Sequence, residues 1–202
     1  MLFAGIGPEG QARLAASSAV IVGCGAIGAA VANLLVRAGV GRIRILDRDF
    51  VEPSNLQRQI LFDEADAREA LPKAVAAERK LHALNSEIQI EGIVADLNSK
   101  NAEELLSGFP LILDGTDNFE TRFLVNDYAV QSGTPWIYAA AVASYGLTLT
   151  IRPQQTACLA CLLETGGAPG VEETCDTVGV LGPIVNLIAS LEATEALKLL
   201  SA

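Results

Sequence analysis

The sequence predicts an α/β fold, a mostly parallel sheet with helices on both faces, and three observations predict it. Short apolar runs alternate with helical patterns through the first half of the chain. Gly23-Cys24-Gly25-Ala26-Ile27-Gly28 is a GxGxxG turn set between a strand pattern and a helix pattern. Half of the 202 residues are hydrophobic but only 5% are aromatic, so Ala, Val, Leu and Ile must fill the core. Small side chains of that kind suit close helix-on-sheet packing, and the arrangement is Rossmann-like.

The elements follow in order. Residues 19–23 are a short apolar run, the expected first strand. Residues 27–38 have helical spacing and stop before Gly39. Residues 42–47 (RIRILD) read as the second strand, 73–84 as a helix, and 88–94 alternate as a strand. Residues 110–114 (PLILD) are the next strand, followed by a helix over 120–131 and strands over 136–140 and 147–151. After Pro153 the character changes, and the Gly/Pro/Glu-rich stretch 164–173 reads as an exposed mobile loop. The final helix follows Pro183. The length fits one domain over 1–202, with a nucleotide-binding part over about 1–135 and a cysteine-containing part over about 136–202.

Composition excludes several classes. A formal net charge of −10 argues against a free-standing nucleic-acid binder. The opening MLFAGIGPEGQARL lacks a basic region followed by a long apolar run, so no secretory signal is read. The most apolar late stretch, 182–200, carries Asn186, Glu192, Glu195 and Lys198, which suits a buried or half-buried helix better than a membrane span. A cytoplasmic protein with neither nucleic-acid nor membrane partners is the expectation. Four cysteines in such a chain favour metal or thiol chemistry over structural disulfides.

Glycines Gly23, Gly25 and Gly28 allow a tight turn and close approach of a phosphate to backbone N–H groups at a helix N-terminus. Asp47 ends the second strand, where a carboxylate accepts hydrogen bonds from ribose hydroxyls. The motif alone does not choose between NAD, FAD and ATP. The loop Ser54-Asn55-Leu56-Gln57-Arg58-Gln59 adds Asn55, Arg58 and Gln59 beyond Asp47 and Asp49, and Lys73 opens the next helix. Asp114 and Asp117 end the next strand and are expected to face the same crevice. Two cations and a carboxylate match a triphosphate with magnesium: Arg58 and Lys73 neutralise phosphate oxygens and Asp117 holds Mg2+. An NAD-dependent oxidoreductase, the reading from a different class, leaves those three residues idle.

These residues resemble a known family. NLQRQ, PKA, DGTDN, CLAC and TCDTVGVLGP together are similar to the bacterial ThiF/MoeB/HesA family, relatives of the ubiquitin-activating enzymes. The similarity runs from GPEGQARL to EALKLL. The resemblance implies a homodimer that uses ATP and Mg2+ to adenylate the C-terminal Gly-Gly carboxylate of a ubiquitin-like sulfur-carrier protein. TCDTVGVLGP leans towards the thiamine-thiazole branch, with a MoeB-like enzyme for the molybdopterin carrier as the alternative. Gly25 is thereby assigned to the nucleotide loop, Asp47 to the ribose, and Asn55, Arg58 and Lys73 to phosphate and adenylate contacts. Asp117 is assigned to magnesium, Asp49 and Gln59 to adjacent positions, and 136–202 to carrier binding. A sulfur donor such as a cysteine desulfurase is a further implied partner. The carrier carboxylate attacks the α-phosphorus and pyrophosphate leaves, so positioning and charge neutralisation carry the catalysis.

Cys158 and Cys161 form a CxxC pair, half of a tetrahedral Zn2+ site. The resemblance implies a second such pair, which the 202 residues do not contain. Zinc binding, a packed turn and a redox pair stay open as readings. Cys175 matches the family's crossover-loop cysteine, which in some members takes part in thioester, acyl-disulfide or persulfide chemistry. Cys24 reads as a packing residue. The family's N-terminal RYxRQ-like arginine, which reaches the partner subunit's site, is also not found, so one phosphate contact is expected to be missing. His82, the sole histidine, reads as structural or solvent-facing, which leaves a Ser–His or Cys–His hydrolase without its base.

Overall fold

The computed structural model describes residues 3–163 and 179–202. Its described elements run helix α1 (Gly7–Ala16), strand β1 (Ser18–Val22), α2 (Ala26–Ala38), β2 (Arg42–Leu46), a 3-10 turn (Pro53–Asn55), α3 (Glu64–Arg68) and α4 (Lys73–Leu84). They continue with β3 (Gln89–Ile93), α5 (Ala102–Leu106), β4 (Ile112–Asp114), α6 (Phe119–Ser132), β5 (Trp136–Val142), β6 (Tyr145–Ile151), α7 (Leu159–Leu162) and a last helix, here α8 (Gly182–Ser201). Six strands form one sheet in the order β3-β2-β1-β4-β5-β6. All neighbours are parallel except β5 and β6, which pair antiparallel from Trp136↔Ile151 to Val142↔Tyr145.

The all-apolar run in β1 is explained by burial on both faces. Ala19 and Ile21 join one core cluster with α2, α4 and α8; Val20 and Val22 join another with α5, α6, Trp136 and Tyr138. α2 opens directly after Gly25 and closes at Gly39, whose φ of 84° is left-handed and whose N–H caps Leu35 and Val36. Asn118 caps α6 by accepting the Thr121 N–H, and Pro183 sits in the first turn of α8. Chain order reverses between β1 and β4, because β2 and β3 lie to one side and β4 to β6 to the other. The C-terminal ends of β1 and β4 therefore border the crevice where open α/β sheets take ligands.

Two features were not anticipated. α1 docks the start of the chain onto its end: Leu14 is fully buried, Gln11 Nε2 donates to the Ala38 carbonyl at 2.9 Å, and Arg13 Nε donates to the Ser201 carbonyl at 2.7 Å. The β5–β6 hairpin turns through Ala143 at φ 50°, where Ala143 N–H donates to the Gly179 carbonyl at 3.0 Å and its carbonyl accepts Leu181 N–H at 2.8 Å. That clasp seats the segment leading into α8.

Candidate active site

The glycine turn is closed by backbone contact. Gly23 has φ 89°, and a Cβ there would lie 2.5 Å from the Gly115 carbonyl oxygen, so the loops after β1 and β4 touch through their main chains. A Cβ on Gly28 would overlap the Gly23 carbonyl. Gly28→Ala is therefore expected to cost about 1–3 kcal/mol through overpacking. A lowered thermal midpoint with weakened nucleotide binding checks this, and an unchanged melt refutes it.

Asp47, at the end of β2, is 9% exposed and spans the glycine turn and the next loop. Its Oδ2 accepts Cys24 N–H at 2.6 Å and its Oδ1 accepts Asp49 N–H at 2.7 Å. Burial raises its pKa, against the lowering effect of those two N–H groups. Each oxygen keeps a lone pair, so a vicinal diol can still donate to both. Lys73 opens α4 and is 6% exposed. Its N–H donates to the Asp49 carbonyl at 2.8 Å and its Nζ lies 3.1 Å from Asp49 Oδ2. Asp47, Asp49 and Lys73 thus form one connected chain along the strand ends.

Asn55 and Arg58 form a second unit, Arg58 Nη2 donating to Asn55 Oδ1 at 2.9 Å. Gln59 is buried and its Oε1 has no partner among the described residues. Gly182, at the head of α8, packs against this loop: a Cβ there would lie 3.0 Å from the Gln57 carbonyl. No hydrogen bond or ion pair among the described residues joins Arg58 to Lys73 or Asp117. Asp117 is exposed, with Asn118 Nδ2 at 3.5 Å, and its charge reaches Arg48 and Arg122.

Asp114 does not share that exposure, which corrects the expectation that it faces the crevice. It is 2% exposed and turned inward, its Oδ2 accepting Arg122 Nε at 2.9 Å. Its Oδ1 accepts the N–H and hydroxyl of Thr116 at 2.9 and 2.7 Å. Arg122 Nη2 also donates to the carbonyls of Thr116 and Ala139 at 2.8 and 3.1 Å. Burial opposes the charge on Arg122, but Asp114, with Tyr138 and Asp117, outweighs it and the net pKa shift is upward. Arg122 and its buried neighbour Glu192 were missed from the sequence. The available signal was an arginine one turn into the helix after DGTDN.

Cys158 and Cys161 bring their sulfurs to 3.4 Å. Burial raises the Cys158 thiol, yet hydrogen bonds from Cys161, Asn126 and Ala160 outweigh it and lower its pKa. Two thiols at this spacing suit one ion, but among the described residues no group of three or more His, Cys, Asp or Glu is placed to hold a metal. Cys175 lies outside the described residues. Cys24 is fully buried and burial pushes its thiol well up, as a packing residue requires; His82 is exposed. No helix among the described residues is long and apolar enough to cross a membrane.

Known proteins resemble this arrangement. A sulfur carrier protein ThiS adenylyltransferase of Bacillus subtilis is 51% identical over 203 residues, covering 99% of this chain and 59% of that protein. The chain thus spans about three fifths of that relative's length. A sulfur carrier protein adenylyltransferase of Thermus thermophilus is 40% identical across 99% of this chain and 75% of its own length. Among solved structures, E. coli MccB with ATP superposes at a TM-score of 0.82 and 27% identity, over 96% of this chain and 58% of MccB. The ThiF family model matches residues 1–202, and with its glycine turn and strand-end carboxylates in place the chain belongs to the ThiF family.

Proposed function

We propose that this chain uses ATP to adenylate the C-terminal Gly-Gly carboxylate of a ubiquitin-like sulfur-carrier protein, in the thiamine-thiazole branch. The carrying observation is the connected run from the glycine turn through Asp47 and Asp49 to Lys73. It sets a diol-accepting carboxylate beside a buried ammonium at the sheet's switch point. The 51% identity to a ThiS adenylyltransferase and the likeness to MccB with ATP support the same chemistry.

In this reading Asp47 takes the ribose hydroxyls, and the Gly23–Gly28 turn offers backbone N–H groups to phosphate. Lys73, Arg58 and Asn55 hold phosphate oxygens, with Asp49 and Gln59 shaping the same wall. Asp117 suits Mg2+, which takes one or two carboxylates with substrate phosphates, because its carboxylate is exposed at the strand end. The ion, when bound, neutralises charge on the phosphates. The protein's own work is to hold the α-phosphorus in line with the carrier carboxylate. Residues 1–135 form the nucleotide half of one domain and 136–202 the carrier half. Cys158 and Cys161, with sulfurs 3.4 Å apart, suit two of the four ligands of a Zn2+ site. A cytoplasmic homodimer, with Cys175 receiving sulfur chemistry from a donor such as a cysteine desulfurase, completes the proposal.

ATP–pyrophosphate exchange tests it, run with thiazole-type and molybdopterin-type carriers. Exchange that requires Mg2+ and an intact Gly-Gly tail is expected, faster with the thiazole-type carrier. Preference for the other carrier shifts the assignment to the MoeB-like reading. NADH binding without ATP binding sinks both and favours the oxidoreductase.

A further inference from the structure

We infer that Glu192 is a positioning residue for the proposed reaction: from α8 it fixes the end of β4 and, with it, the turn that presents Asp117. The inference rests on the adenylation reading and adds a residue to it.

Glu192 is 0% exposed in the largely apolar helix α8. Its Oε1 accepts the Asp114 N–H at 3.0 Å, while its Oε2 has no partner among the described residues. An apolar residue there avoids that unpaired oxygen, so packing alone does not call for a carboxyl. The bond it makes is placed to matter. Asp114 is the last residue of β4, and its carboxylate folds the chain back by taking both donors of Thr116. Asp117 is the next residue. The groups facing Glu192 are Asp114 on β4 and Arg122 on α6, with Tyr138 on β5 beside them. Burial first, then the Asp114 charge, pushes its carboxyl well above the usual range, and its Oε1 acts as an acceptor. The same helix begins at Gly182 against the Gln57 carbonyl, so α8 touches both the Arg58 loop and the Asp117 turn.

The test compares wild type, Glu192→Gln and Glu192→Leu. Glutamine keeps the accepting oxygen; leucine leaves the Asp114 N–H buried and unpaired. Without nucleotide or metal, amide hydrogen exchange over residues 114–118 is expected to rise on the order of tenfold in Glu192→Leu, the equivalent of one lost hydrogen bond. Amides of β1 and β2 stay protected, and Glu192→Gln stays close to wild type. In pyrophosphate exchange, the Mg2+ concentration for half-maximal rate rises by a similar factor in Glu192→Leu and is restored by glutamine. If leucine does not fold, Glu192→Met fills the same space flexibly and carries the same outcomes. Unchanged local exchange in a folded apolar variant overturns the inference, as does a glutamine variant as damaged as leucine. A wild-type chain without pyrophosphate exchange removes the adenylation reading itself, whereas wild-type exchange with an unmoved magnesium dependence removes only the inference.

Discussion

Replacing Arg122 with methionine is expected to destabilise the fold by about 3–5 kcal/mol, because it strands a buried carboxylate. The Arg122 and Asp114 side chains are 7% and 1% exposed, and the guanidinium ties Asp114 to the carbonyls of Thr116 and Ala139. Methionine fills much of the space but donates none of these bonds. Asp114 then keeps its bonds from Thr116 but loses the guanidinium that balanced it. Urea unfolding of wild type and variant at neutral pH reads the size of the loss. Adding Asp114→Asn should return part of the loss, since the pair share one network. A single variant within about 1 kcal/mol of wild type refutes the account. The exposed Arg48–Asp96 pair, 64% and 61% exposed at 2.9 Å, offers the contrast, since surface pairs contribute about 0–1 kcal/mol.

That cluster also marks where sequence reading stops. Strands and helices driven by local apolar patterns were legible: the helix over 73–84 has the expected bounds, and the remaining predicted elements shift by a few residues. The apolar run at 19–23 read as the first strand, and the strand observed there, Ser18–Val22, is buried on both faces. α1 was not legible, because Gly7 and Gly10 depress helix propensity and its stability comes from contacts with Ala38 and Ser201 far along the chain.

The site divided in the same way. The positions of Asp47 after β2 and Lys73 at the head of α4 were legible because GxGxxG and strand ends fix where the chain turns. The orientation of Asp114 was not, since a strand-end aspartate faces outward or inward according to its partners. Its partners are Arg122, eight residues on, and Glu192, 78 residues on. Glu192 drew attention only as an obstacle to a membrane span. A carboxyl in a largely apolar helix is equally a demand for a buried partner, and no local pattern says which.

Asp117→Ala is expected to remove magnesium-dependent adenylation while leaving the fold intact, the reverse of Arg122→Met. Asp117 is exposed, and among the described residues its side chain meets only Asn118 Nδ2, at 3.5 Å; the cap on α6 is made by Asn118, not by Asp117. Loss of such a side chain normally changes stability by less than about 0.5 kcal/mol. The rate should suffer on the order of 100- to 1,000-fold, the scale for losing one preorganised group that faces developing charge. Arg48 sharpens the expectation. It is exposed, paired with Asp96, and within the field of both Asp49 and Asp117. Removing Asp117 leaves the strand ends more positive, which favours bare phosphate and would disfavour a divalent cation. ATP binding without magnesium should therefore survive or strengthen while exchange collapses. Higher magnesium should recover part of the rate in Asp117→Asn, and higher carrier concentration should not. An alanine variant with normal exchange, or one that fails to fold, removes Asp117 from the metal's role.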